Sequence, residues 1–224
     1  MTLIEYPMFA TYPASYTDRF GEEQITIKND GKFLRTVISG VEFVGSDFDS
    51  LRPVGDMAEL PANTLTFNAD SLCSCTFELD MPLPIWMDDT PITGSLHVRL
   101  VLGDPAPNGG IDKEYLELEL KIANDVIRSR VRGYFEDALL DIQSKLPDGV
   151  YMLACINCAF SEYSPFGSGL FGSMACFRDN KEGYLQVKSK DDIFTIWPTM
   201  TEFVQETYLC PEFARRVPGT GYRG

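Results

Sequence analysis

The chain has 224 residues, 33 of them acidic and 19 basic, for a formal net charge of −14. A surface of that sign repels phosphate backbones, so nucleic-acid binding is not expected; no apolar run approaches the ~20 residues that span a bilayer, so neither is membrane insertion. A hydrophobic fraction of 44% with 12% aromatics fits a packed globule, and residues Met1 to Pro7 lack the basic and apolar regions of a secretory signal, which points to the cytoplasm.

In chain order, the first patterned segments alternate with period two, the mark of half-buried strands. Ile25 and Ile27 alternate with Thr26 and Lys28, and Leu65 and Phe67 with Thr64 and Thr66. Cys73, Cys75, Phe77 and Leu79 share one face opposite Ser74, Thr76, Glu78 and Asp80. Ile92, Leu96, Val98, Leu100 and Leu102 lie opposite Thr93, Ser95, His97 and Arg99, and Leu116, Leu118, Leu120 and Ile122 opposite Glu117, Glu119 and Lys121. Strands so spaced predict an antiparallel sandwich or rolled sheet. Apolar residues at 131, 134, 135, 138, 139, 142 and 146 then set a helical stripe that packs on the sheet. Lys145 falls in its last turn, where it suits the helix dipole, and Pro147-Asp148-Gly149 stops it. Val150 to Ile156 reads as a buried strand, Ser161 to Ser173 as a Gly/Ser-rich loop, Ala175–Arg178 and Tyr184–Val187 as short strands, and Phe203 to Tyr208 as a strand or helical turn.

The acidity is uneven. Residues 1–149 hold 25 acids and 12 bases, and residues 150–224 hold 8 and 7. The shift near residue 149 predicts two closely packed parts: an acidic antiparallel β domain over 1–149, with a helix at 131–146, and a smaller β-rich module over 150–224. The predicted class is therefore mainly β (α+β), with one amphipathic helix. Excess acid serves solubility first and attraction of a basic partner second.

The six cysteines sort by geometry. Cys73 and Cys75, two apart on a strand, belong to a core face, where thiols behave as small hydrophobes. Cys155 and Cys158 form a C-x-x-C that can aim two sulfurs at one point; Cys176 and Cys210 complete a four-thiol set. Four thiolates suit a tetrahedral, closed, structural zinc. The pattern favours such a site over inert buried thiols, and over a redox pair, which belongs at a strand-to-helix junction. Ala159 stands after the second cysteine, where many metal knuckles have glycine.

Other motifs read more plainly. Gly167-Ser-Gly169-Leu-Phe-Gly172 matches G-x-G-x-x-G, and Asp192 lies about 20 residues on, as a ribose contact would. The glycines do not follow directly on a strand, and a strand rather than a helix comes next, so turn glycines are expected, not a pyrophosphate cradle. Asp104, Asn108 and Asp112 offer too few oxygens for calcium and suit a long hairpin loop. His97 is the only histidine, read as a solvated residue on a strand face; there is no H-E-x-x-H and no G-x-S-x-G elbow. Asp88-Asp89 and Asp191-Asp192 read as solvated acids in turns.

The segments Cys155-Ile-Asn-Cys158 through Ser164-Pro-Phe-Gly167, Cys176-Phe-Arg178, Glu206-Thr-Tyr-Leu-Cys-Pro-Glu-Phe213 and Gly219-Thr-Gly-Tyr-Arg-Gly224, with Leu100 to Gly110, resemble an uncharacterised bacterial family, a domain of unknown function. The resemblance covers most of the chain and implies a bacterial origin but no activity. With no catalytic set in view, the expectation is a non-enzymatic cytoplasmic binding or regulatory protein of the immunity type, neutralising a basic partner. The alternative is an enzyme whose site lies between the two parts near the loop 161–173, drawing on Ser161, Glu162, Tyr163, Ser164, Arg178 and Lys181.

Overall fold

Backbone alternation becomes antiparallel pairing in a computed structural model that describes residues 10–60, 64–167 and 169–222. Strands β1 (Ala10–Asp18) and β2 (Gly21–Asn29) form a hairpin, followed by β3 (Leu34–Ile38), β4 (Val41–Gly45) and the short β5 (Arg52–Pro53). A two-stranded ribbon, β6 (Phe67–Asn68) and β7 (Ser71–Leu72), leads to the long hairpin β8 (Cys75–Met87) and β9 (Thr90–Leu102), then to β10 (Glu114–Ile122) and β11 (Asp125–Arg128). The β3–β4 and β8–β9 turns each place both central residues at positive φ, Ser39 with Gly40 and Asp88 with Asp89. That matches the twist of a two-residue hairpin, and aspartate tolerates the left-handed region. Asp88 and Asp89 are thus turn formers.

One ten-stranded sheet results, in the order β11-β10-β9-β8-β1-β2-β3-β4-β5, where the sequence pattern predicted a sandwich or a rolled sheet. Its ends share a core. Phe48, just beyond β4, has its ring 6.2 Å from Phe77 of β8 and 6.2 Å from Phe135. Phe135 opens α1 (Phe135–Gln143), which packs on β10. The burial patterns of β9 and β10 follow the expected alternation, with Leu96, Val98, Leu100, Leu102, Leu116, Leu118, Leu120 and Ile122 all inward. On the outer face, cross-strand charges pair: Arg99 with Glu78 and Glu117, and Arg128 with Glu119.

The tenth strand, β12 (Tyr151–Met152), joins β8 at Ile85 and Trp86. Pairing of β1 with β8 covers only Cys75 to Leu79. Pro82 and Pro84 cannot donate to a neighbour, so β8 is left open past that point, and the Leu153 N–H donates to the Pro84 carbonyl there (2.8 Å). The rest of the chain contributes β13 (Ser161–Glu162), β14 (Met174–Cys176), α2 (Lys181–Leu185), α3 (Lys190–Ile196) and β15 (Glu202–Val204), with β13-β14-β15 as a small antiparallel sheet.

Several predicted elements change. The helix begins four residues late, because the Phe135 N–H donates to the Leu170 carbonyl (3.2 Å) and the Arg130 N–H to Asp141 (2.7 Å). It also ends before Lys145, whose ammonium reaches Asp141 Oδ2 and the Arg128 carbonyl. The run 150–156 is strand only at 151–152. Tyr184–Val187 is helical and turn structure instead of strand. Among the described residues there are three α-helices, not one. None is long and apolar enough to cross a membrane.

Candidate metal centre

All four cysteines of the predicted set are buried, and they come from three separate places: Cys155 and Cys158 bound a single 3-10 turn, Cys176 ends β14, and Cys210 follows β15. Backbone bonds draw these segments together. The Cys155 N–H donates to the Tyr208 carbonyl (2.7 Å), Ile156 to Glu206 (3.0 Å), Ala159 to Ala214 (2.7 Å), and Thr201 to Cys176 (2.8 Å). The thiols are near enough to raise one another's pKa. Burial pushes Cys155 up first, and Cys158, Cys210 and Cys176 add to it; burial also raises Cys176 and Cys210, which Cys158 pushes further.

Two features oppose that rise. The backbone N–H of Arg178 favours the thiolate of Cys176 and that of Glu212 the thiolate of Cys210, each two residues on, and the Arg178 guanidinium acts on both sulfurs. Lys181, bridged to Glu212 (2.6 Å), faces Cys210 and Cys158. Plain hydrophobic thiols gain nothing from neighbouring cations, whereas a four-thiolate site is anionic and does. The donor chemistry therefore fits zinc. As the side chains stand, no group of three or more His, Cys, Asp or Glu among the described residues is arranged to hold a metal ion.

The other sequence candidates fall elsewhere. Cys73 and Cys75 are both buried, but Ser74 between them has φ 53°, so only Cys75 enters β8. His97 lies half-exposed against Asp80 (3.2 Å). The oxygens of the 103–112 loop are used by the loop's own surroundings: Asp104 accepts from Ser74 (2.5 Å), Asp112 from the Asp104 N–H (2.8 Å) and Asn108 from the Gly110 N–H (3.1 Å). Ser161 donates to the Cys155 and Cys158 carbonyls, and Glu162 accepts from Tyr184 (2.8 Å) and from the Tyr163 N–H (2.9 Å). Arg178 and Lys181 stand at the thiols, while Tyr163 and Ser164 line a groove. The six polar candidates near the loop thus do not converge on one cavity.

The G-x-G-x-x-G stretch has an anion partner that sequence reading missed: the protein's own carboxylates. Asp47 Oδ2 accepts the Phe171 N–H (3.0 Å), and Glu206 accepts those of Gly172 (2.7 Å) and Ser173 (3.2 Å). A Cβ on Gly169 would stand 2.9 Å from Asp47 Oδ2. Burial, with Asp49 and Glu206 nearby, raises Asp47 to about 8, and burial raises Glu206 to about 7. Asp192, the would-be ribose contact, instead closes a capping box with Ser189 at the start of α3. Ser168 lies outside the described residues.

One protein family matches residues 10–161, from the start of β1 to the first residue of β13; it is described as a family of unknown function (DUF6304). The chain belongs to DUF6304. The matched stretch contains Cys155 and Cys158 and ends before Cys176 and Cys210. No curated protein matches the chain, and no solved structure does.

Proposed function

We propose that this DUF6304 chain is a non-enzymatic binding or regulatory protein of the bacterial cytoplasm, of the immunity type, whose C-terminal part is clasped by one structural zinc on Cys155, Cys158, Cys176 and Cys210. The burial of these four thiols close enough to act on one another, beside Arg178 and Lys181, carries the reading. Zinc bound there would supply folding energy and displace the thiol protons; four sulfurs leave no open position for chemistry. The net charge of −14 selects a basic partner.

The clasp is tested by elemental analysis of the purified chain, with about one zinc expected per molecule. Cys176→Ser and Cys210→Ser should each lose the metal and melt at lower temperature. A zinc-free wild type whose four thiols titrate freely while it stays folded would end the idea. The partner is tested by affinity capture from host lysate at low salt, where charge attraction is strongest; recovery of no basic protein would count against it. The enzymatic alternative, near the loop 161–173, has one observation in its favour, the groove beside that loop.

A further inference from the structure

Residues 162–167, the first turns of α3 and Tyr222 enclose a groove of about 730 Å³, a volume typical of small-molecule sites. Its rings are bare, and one of them is held. Phe166 is 72% exposed, yet makes T-shaped contacts with Phe194 (5.4 Å) and Trp197 (5.6 Å). Tyr222, 45% exposed, lines the same groove, with Ile193 buried beneath. The Phe166 ring, already fixed, loses little freedom when a ligand covers it.

The charges differ in how far they are committed. The Glu162 carboxylate is taken up by Tyr184 and the Tyr163 N–H. The Lys190 ammonium sits 5.7 Å from the centre of the Phe194 ring, and among the described residues no carboxylate pairs with it. The capping box fixes the backbone from which it projects. One ammonium meets one negative charge, and the Glu162 carboxylate in the wall repels anions of higher charge.

We propose that this groove binds a small aromatic carboxylate, its ring against Phe166 and Tyr222 and its carboxylate on the Lys190 ammonium. The assignment holds whether or not the cysteines carry zinc and whether or not the partner is basic.

Calorimetric titration of the full chain with indole-3-carboxylate, and with the neutral indole-3-methanol as its matched control, tests it. The acid should bind with a Kd of ~0.1–1 mM, and the alcohol about tenfold more weakly, the loss of one charge pair. Lys190→Gln should remove the preference for the acid, and Phe166→Ala should weaken both ligands about tenfold. Both side chains are surface groups, so the melting temperature should stay within ~2 °C of wild type. No binding of the acid at ~10 mM, far above the Kd range of small-ligand sites, would overturn the proposal. Equal binding of acid and alcohol to the wild type would do the same, as would an acid preference that survives Lys190→Gln.

Discussion

Asp47 and Glu206 show what a buried charge does when the backbone is its partner. Each holds N–H groups of residues 171–173, which favours the ionised form, yet burial outweighs those bonds and both carboxyls titrate near neutrality, at about 8 and about 7. A carboxyl whose folded pKa exceeds its unfolded value binds more protons in the native state, so its stabilising contribution is present below about pH 4 and lost as pH rises toward 7 to 8. Asp141 and Glu202, lowered by their partners Lys145 and Arg178, act in the opposite sense and lose their contribution as pH falls below about 4. Thermal melts across pH should therefore peak near pH ~5 and decline by several degrees toward pH 8; Asp47→Ala should flatten that decline. A melting temperature that rises steadily from pH 5 to 8 would refute this account. The same contact explains Gly169. Its Cβ would press on Asp47, so Gly169→Ala should destabilise by about 1–3 kcal/mol, measured by denaturant titration.

At the scale of elements, local chemistry makes helices of two segments that the sequence pattern assigns to a strand and to a turn. Tyr184 and Val187 are buried while Gln186 is exposed, an i, i+3 spacing that belongs to a helix but over four residues is too short to tell from a strand. The Asn180 side chain accepts the Gly183 N–H and starts that helix. In α3 the signal is present in the sequence, a serine followed three residues later by an aspartate, although Asp191-Asp192 taken alone suits a turn equally well. Ser189→Ala should cost about 1 kcal/mol of stability and lower the helical signal; an unchanged denaturation midpoint would show that packing of Ile193 alone holds α3. Pro82 and Pro84 have the reverse role, ending one pairing of β8 so that β12 can begin another.

At the scale of the molecule, the core ignores the charge boundary near residue 149. It runs from Tyr12 through Phe135 to Met152, Phe171 and Val204. Asn29 and Gln205 exchange amide hydrogen bonds at 2.7 and 2.9 Å, both buried, and tie β2 to the segment after β15. Asn29→Ala, which strands the Gln205 amide, should cost about 2–3 kcal/mol, and the double variant Asn29→Leu/Gln205→Leu less than that, because unsatisfied burial costs more than a missing pair; the comparison is made by denaturant titration. A fragment of residues 1–149 should bind a hydrophobic dye and lack a cooperative melt. A sharp melt from that fragment would mean the first part folds alone.

The sequence by itself determined the antiparallel strands of β2, β8, β9 and β10, the faces they bury and the presence of α1, because period and spacing act over a few residues and need no knowledge of the partner. Only the tertiary structure decided that the sheet is single, that Glu206 and Asp47 fill the Gly-rich loop, and that Arg178 and Lys181 stand near the late cysteines. Those contacts join residues up to 124 positions apart, and what fixes them is the shared burial of surfaces that no local pattern records.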